Sequence, residues 1–509
     1  MAGMTGSMAV TLGLLAAFFA LIVFVLYATN RNAKSFSDYA VGGRSFGSWY
    51  IAMSYTNSWW PGATYTAFFG LSVSAGVLGF YALAYSLLGV TAMYLMAERA
   101  WLWGKRYDLR TQPDMLGLRF DSQAVRVIAS AIGVVCLFPW IVLGMQAMGL
   151  IFRFASFGHW SVTTCLVVGV GVIAVRQIWT VQMGMRGLVI TDLVQGIVAY
   201  GLAALVCLGI LFGPADTAGF GALSKLPETL LHVPGDGGKY GSWYLFSLIV
   251  TGLIGSLCWP TSYQRIYTAK GVRSVKKGTL QTMWIAGGFY VLLTLVALSS
   301  ASMTDIAKAP QDGWFTLLYD RGGVWLLGMA LVIVLAASMG WIDGCVQVCG
   351  AQIANDIVHV ISPRTDFQLK VVAKGSMVVY MLASAVVAYI AFDYPRLQLL
   401  AQMSYQGIVQ LAVPMFLGLF WRRGTKVAAL ASMSTGFVVA AVLTYLYPDD
   451  IPGLGSLTSG VVALAANLVV YLAVSLSAPQ SDTERRRVDE LFEAGKSRRT
   501  PPSAALASR

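Results

Sequence analysis

The chain predicts an all-α integral membrane protein of about thirteen transmembrane helices, two of them interrupted. Three observations lead there. Of 509 residues, 57% are hydrophobic and only 11% charged, with mean hydropathy +0.68. Apolar runs of about twenty residues, the length that crosses a hydrocarbon core, recur from end to end. Trp-Pro occurs twice inside such runs, as Ser58-Trp59-Trp60-Pro61-Gly62 and as Leu257-Cys258-Trp259-Pro260-Thr261. Proline removes a backbone donor and clashes with the preceding turn, so a helix kinks or opens there. Freed backbone groups are tolerated at membrane depth only where they line a cavity or are buried in protein. Two interrupted helices about two hundred residues apart are the pattern of a transporter built from inverted repeats, with its site at the breaks.

The spans follow in order. Met8–Tyr27 lacks a basic leader and reads as a retained span rather than a cleaved signal. Phe46–Leu71 and Trp243–Pro260 hold the Trp-Pro breaks, and Val125–Ile151 holds Pro139. Gly76–Met96, Trp160–Val175, Gly187–Phe212, Thr279–Ser302 and Leu369–Phe392 are further predominantly apolar runs. Val324–Ile353 is long enough to carry an extension beyond the bilayer. Leu397–Trp421, Val427–Leu446 and Leu454–Leu476 complete the series. The loop Gly213–Gly241 is the largest external connection, and the polar tail from Pro479 is expected to be disordered apart from a short helix at Thr483–Ala494.

The net charge of +12 belongs to a membrane face rather than to a nucleic-acid surface, because the bases fall in loops on one side. That side collects Arg31, Lys34, Arg44, Arg99, Lys105, Arg106, Arg110, Arg119, Arg176, Arg186 and Arg265. Lys270, Arg273, Lys276, Lys277, Arg364, Arg422, Arg423 and Arg485 to Arg487 continue it. A basic side is cytoplasmic, so the N-terminus is expected outside and the tail inside a plasma membrane. The partners implied are the lipid bilayer and a small solute, with no nucleic acid and no obligate protein partner.

Five stretches carry a family resemblance. They are Asp38-Tyr39 with Gly43-Arg44-Ser45; Arg110-Thr111-Gln112-Pro113-Asp114 with Leu116 and Arg119; and Gly187-Leu188 with Thr191-Asp192 and Gln195. Gln264-Arg265 with Ala269-Lys270, and Pro414-Met415-Phe416-Leu417-Gly418-Leu419-Phe420-Trp421, complete the set. In this order, over nearly the whole chain, they resemble the sodium:solute symporter family. The resemblance implies the LeuT-type fold: two inverted five-helix repeats whose first and sixth core helices are broken. On that mapping residues 1–45 are a peripheral helix and loop, and 46–421 the transporter core. Residues 422–478 are two peripheral helices, and 479–509 a cytoplasmic tail.

A broken helix presents carbonyl ends to cations and amide ends to anionic groups. The candidate solute site is therefore Asn57, Ser58, Trp59 and Trp60 at the first break, with Trp259 and Thr261 at the second. Gln146 and Gln406 on neighbouring helices could face the same space. No Lys or Arg is evident there to pair a carboxylate. Amino acids, monocarboxylates and nucleobase-like solutes stay open.

The resemblance also implies a sodium site between the broken first helix and the eighth, with hydroxyls at the positions of Gly340 and Trp341. This chain has neither hydroxyl. The candidate coupling set is Asn57, Trp60, Asp192, Ala337, Gly340 and Asp343. A carboxylate at bilayer depth costs about 2.5–3.5 kcal/mol and commonly serves an ion or a proton. The coupling ion, Na+ or H+, is thus expected to be a proton or a sodium ion on a rebuilt site that includes Asp343. No other cofactor is expected.

Enzyme chemistry is not indicated. His159, His232 and His359 are far apart, no Walker-type loop is present, and Cys345 and Cys349 alone make a weak metal pair. Cation-coupled import by alternating access is the leading expectation. The alternative is a transporter-derived solute sensor signalling through a partner; a passive channel fits two matched breaks less well.

Overall fold

The computed structural model describes residues 2–213, 218–232, 241, 243–391, 397–477 and 480–496. In chain order the principal helices begin with α1 (Ala2–Ala28), α2 (Ser48–Trp59), α3 (Ala67–Ala75), α4 (Tyr81–Arg106) and α5 (Gln112–Phe120). There follow α6 (Gln123–Ala155), α7 (Val162–Met183), α8 (Met185–Gly196), α9 (Trp243–Cys258), α10 (Pro260–Thr268) and α11 (Val272–Ser299). The last are α12 (Gly313–Gln352), α13 (Asp366–Ile390), α14 (Leu397–Ile408), α15 (Ala412–Phe420), α16 (Lys426–Leu446), α17 (Ser459–Ser477) and α18 (Asp482–Ala494).

Both Trp-Pro motifs open their helices. After α2, Trp60 and Pro61 leave helical geometry (ψ 80° and 175°), and the chain makes one 3-10 turn before α3. Trp259 is extended (ψ 122°), and Pro260 starts α10 at the first turn, where its missing N–H costs nothing. The α9–α10 pair bends by 44°. Eleven helices among the described residues are long and apolar enough to span, or twelve with the bent pair. One of them, Gly62–Arg106, holds 45 residues. As a straight helix it would measure about 68 Å, against a hydrocarbon core of about 30 Å. It turns instead at Gly76 (φ 62°), beneath the Leu230 backbone, so α3 completes the first broken span and α4 is a separate one. With that division the described residues hold thirteen candidate spans. Helix α12 breaks at Gly322 and Gly323, which sets 313–321 apart from the rest.

The second broken helix and three arginines differ from the sequence reading. The second broken helix does not stop at Pro260. It continues to Thr268, through the Gln264-Arg265 stretch read as loop, and Arg265 is wholly buried. Arg119 and Arg176, also read as loop bases, are wholly buried too. The helices run past Arg176 and Arg265, whose charges meet Asp343 and Asp192, whereas Arg119 donates to the carbonyls of Gly418, Trp421, Arg422 and Gly424.

In the tail the expected short helix is present as α18, and the described residues run on to Lys496. Helix α18 is capped by the Ser481 hydroxyl and buries Val488, Leu491 and Phe492 along one stripe. Trp103 Nε1 donates to the Leu491 carbonyl (2.9 Å), and Arg487 donates to the carbonyls of Leu118 and Arg119 (both 2.8 Å). The guanidinium groups of Arg99, Arg119 and Arg422 lie 4.9, 5.7 and 5.2 Å from the Phe492 ring centre. Residues 497–509 lie outside the described residues, as do 214–217 and 233–240 of the external loop.

Candidate functional site

The two breaks meet. The hydroxyl oxygens of Ser58 and Ser262 lie 3.5 Å apart, and Ser58 also donates to the Tyr55 carbonyl (2.8 Å). Just outside α2, Phe46 pairs with the end of α10: its N–H donates to the Thr268 carbonyl (3.2 Å) and its carbonyl accepts from Lys270 (2.9 Å). The opened strand after α2 presses on α12. A Cβ at Gly62 would strike the Ser338 hydroxyl and lie 3.2 Å from the Val334 carbonyl. Tyr200 donates to the freed Trp60 carbonyl (2.7 Å).

Aromatic rings gather beside the second break. Trp140 of α6 meets Trp259 edge-on at 6.3 Å, Trp341 of α12 at 5.7 Å and Tyr405 of α14 at 6.0 Å. Trp259 and Tyr405 pack at 5.3 Å. The indole N–H groups of Trp59, Trp60, Trp140 and Trp341 are buried without a hydrogen-bond partner, as are the hydroxyls of Tyr55, Thr64, Thr261 and Ser338. Buried polar atoms are normally paired, so such a group on the opened helices and their neighbours marks a place where something else completes the bonding. The four indole nitrogens only donate, the hydroxyls donate and accept, and the unpartnered Asn57 Oδ1 and Gln146 Oε1 only accept.

Not every expected residue converges. Asn57, Ser58, Trp59, Trp259 and Thr261 sit at the breaks, and Ala337 is buried on α12. Trp60 stacks on Tyr290 of α11 at 4.3 Å. Gln146 donates to the Ala391 carbonyl at the end of α13. Gln406 turns to the periphery, where its carbonyl oxygen accepts from Gly460 of α17 (2.6 Å). Cys345 and Cys349 are buried and unpaired, and no cluster of metal-ligating side chains occurs among the described residues.

The acidic residues are not alone. Asp192 of α8 accepts from Ser54 and from Asn57 Nδ2 (3.0 Å) of the first broken helix. It also pairs with Arg265 of the second broken helix at 3.4 Å. Arg265 in turn donates to the Ser54 hydroxyl and to the Thr261 carbonyl (both 2.7 Å). Asp343 of α12 pairs with Arg176 of α7 and accepts from Gln177 (2.6 Å). All four charged side chains are wholly buried. The expectation that no base lies within the bundle to meet a carboxylate is therefore corrected. Two acids that bury alone would be far costlier than two that are paired. That imbalance was the sequence signal for Arg176 and Arg265.

Glycine lets these layers touch. A Cβ at Gly340 would lie 3.0 Å from Asn57 Nδ2 and 3.1 Å from Gln195 Oε1; one at Gly344 would lie 3.1 Å from Arg265 Nη2. The two glycines are one turn apart, so one bare stripe of α12 lies against Asn57, Gln195 and Arg265.

Two broken helices meeting inside a many-helix bundle, over unpaired donors and paired buried charges, define a secondary transporter of LeuT-type fold. The particular family follows from comparison with known proteins. The sodium:solute symporter family model matches residues 39–436, and the chain belongs to that family. It is 20% identical to a monocarboxylic acid transporter of Corynebacterium glutamicum, over 83% of this chain and 81% of that one. It is 24% identical to a sodium/proline symporter of Haemophilus influenzae, over 90% and 92%. A Na+-coupled sialic acid symporter in a substrate-bound outward-open state shares the fold, with TM-score 0.73 and 16% identity over 93% of this chain and 99% of that one. The chain is thus a multi-pass membrane protein, a cation-coupled symporter of small solutes and not an enzyme.

Proposed function

We propose that this symporter imports a small monocarboxylate by alternating access, coupled to a proton. The observation that carries the solute class is the set of buried, unpartnered indole N–H and hydroxyl groups on the broken helices and on α6 and α12 beside them. The four unpartnered indole N–H groups suit a solute with acceptor oxygens, held by rings rather than by a free cationic side chain. Trp59, Trp140, Trp259, Thr261 and Trp341 are its proposed contacts. The Corynebacterium relative's monocarboxylic acid transport favours the same class.

The coupling group on this reading is Asp192. It bonds both broken helices at once, through Ser54 and Asn57 on one and Arg265 on the other. Protonating its carboxylate weakens the tie to Arg265 and lets the two helices move relative to α8. Gly340 and Trp341 supply no hydroxyl for sodium. Residues 46–421 act as the transporting core, with 1–45 and 422–478 peripheral. The N-terminus is outside, and α18 lies on the cytoplasmic face with most of the basic loops.

Uptake of a radiolabelled short monocarboxylate into proteoliposomes tests this. An inward proton gradient is expected to drive accumulation without sodium. Asp192→Asn combined with Arg265→Met, which leaves no stranded charge, is expected to abolish proton-driven accumulation while leaving counterflow exchange. Uptake driven by a sodium gradient alone, unchanged in that double variant, refutes the proton reading.

A further inference from the structure

Arg176 occupies an unusual position for a guanidinium. Its Nη1 donates to the Met339 carbonyl (2.8 Å) and pairs with the Asp343 carboxylate. Its Nη2 donates to the Thr191 hydroxyl (2.8 Å) and to Gln195 Oε1 (3.4 Å). Four oxygen-bearing groups from α8 and α12 therefore surround a positive charge that enters from α7, and none of it reaches solvent. A carboxylate, a main-chain carbonyl, a hydroxyl and a carboxamide oxygen are also the ligands a hard cation takes. The polar layer is closed on the Asn57 and Gln195 side by Gly340, where no side chain intervenes. Gln177 and Thr180, on the arginine's own helix, hold the carboxylate at 2.6 and 3.5 Å.

We propose that Arg176 is a tethered cation filling an oxygen-lined monovalent-cation site between α8 and α12. The wild-type protein accordingly takes no free cation there, and Asp343 is the fixed counter-ion of the site rather than its exchanging group. The proposal rests on the reading of this chain as a cation-coupled symporter, and it assigns Asp343 a role distinct from that of Asp192. Removing the guanidinium leaves a buried carboxylate and three neutral oxygens without a positive charge, an arrangement that costs much unless another cation enters. A ligand that binds only the folded state raises its unfolding temperature by mass action.

The test is thermal unfolding of the purified full chain in detergent without solute. Sodium chloride is compared with N-methyl-D-glucamine chloride at equal ionic strength. Arg176→Ala is expected to gain a sodium-dependent rise in midpoint that wild type lacks. Arg176→Gln, which retains much of the volume and a donor for Met339, is expected to gain a smaller one. Adding Asp343→Ala to either variant is expected to remove the gain. No sodium-dependent rise in either single variant overturns the proposal, as does a wild-type rise that Asp343→Ala abolishes. A wild-type rise that persists in Asp343→Ala places sodium elsewhere. It contradicts proton coupling, but supports the assignment of Arg176 if the single variants rise further.

Discussion

Replacing Gly340 by alanine tests how closely α12 fits the charged layer beneath it. The new Cβ would sit 3.0 Å from Asn57 Nδ2, 3.2 Å from Asn57 Cγ and 3.1 Å from Gln195 Oε1, each closer than the 3.4 Å at which ordinary contact begins. Neither neighbour is free to withdraw. Asn57 donates to the Asp192 carboxylate (3.0 Å) and carbonyl (3.1 Å), and Gln195 accepts from Arg176. Overpacking of this kind costs about 1–3 kcal/mol. Helix propensity returns about 1 kcal/mol for Gly→Ala in a helix interior. Gly171 of α7 supplies the control, since a Cβ there meets nothing within 4 Å. Gly171→Ala is expected to be neutral or mildly stabilising. Gly340→Ala should then fall below it by about 1–3 kcal/mol, the overpacking term alone. Thermal midpoints of the two variants in the same detergent read the difference, and counterflow exchange reads the functional loss. If Gly340→Ala matches Gly171→Ala in both, the close seating of α12 on Asn57 and Gln195 is wrong.

Other consequences follow from the same geometry. Asp192→Asn strands the buried Arg265 charge and is expected to destabilise by about 3–5 kcal/mol, whereas the Asp192→Asn, Arg265→Met double variant recovers much of that loss in a thermal-shift cycle. Trp259→Leu removes edge-on contacts of about 0.5–1.5 kcal/mol and should weaken solute binding by roughly 2- to 10-fold, read as the half-saturation of counterflow. Phe492→Ala takes the ring from beneath Arg99, Arg119 and Arg422. A loss of about 3–5 kcal/mol is expected for a buried Phe, enough to undock α18 and speed trypsin cleavage at Arg485 to Arg487. An unchanged cleavage rate would show that Arg487 and Trp103 hold the helix without it.

The fold was legible because bilayer length, apolar runs and proline are local properties of the sequence. Trp60-Pro61 and Trp259-Pro260 break their helices where the dipeptides stand. The site was half legible. Residues at the breaks could be named from position along the chain. The direction of Gln406 towards Gly460, and of Trp60 towards Tyr290, depends on helix rotation, which no run of apolar residues encodes. Arg119, Arg176 and Arg265 were misread for a different reason. A charge at the edge of an apolar run resembles a loop residue until its partner is located, and Asp343 lies 167 positions from Arg176 along the chain. The helix at the tail was legible as Thr483–Ala494, but its docking was not, because Val488, Leu491 and Phe492 are scattered among charged residues.

The central claim is that two opened helices meet inside the bundle and move against each other during transport. Cysteines placed at Ser58 and Ser262, where the hydroxyl oxygens are 3.5 Å apart, examine it most directly. Oxidant is expected to join Ser58→Cys to Ser262→Cys within one chain and halt counterflow exchange, with reductant restoring it and neither single variant responding. Absence of the cross-link with and without solute, or full exchange in the cross-linked protein, would contradict the account.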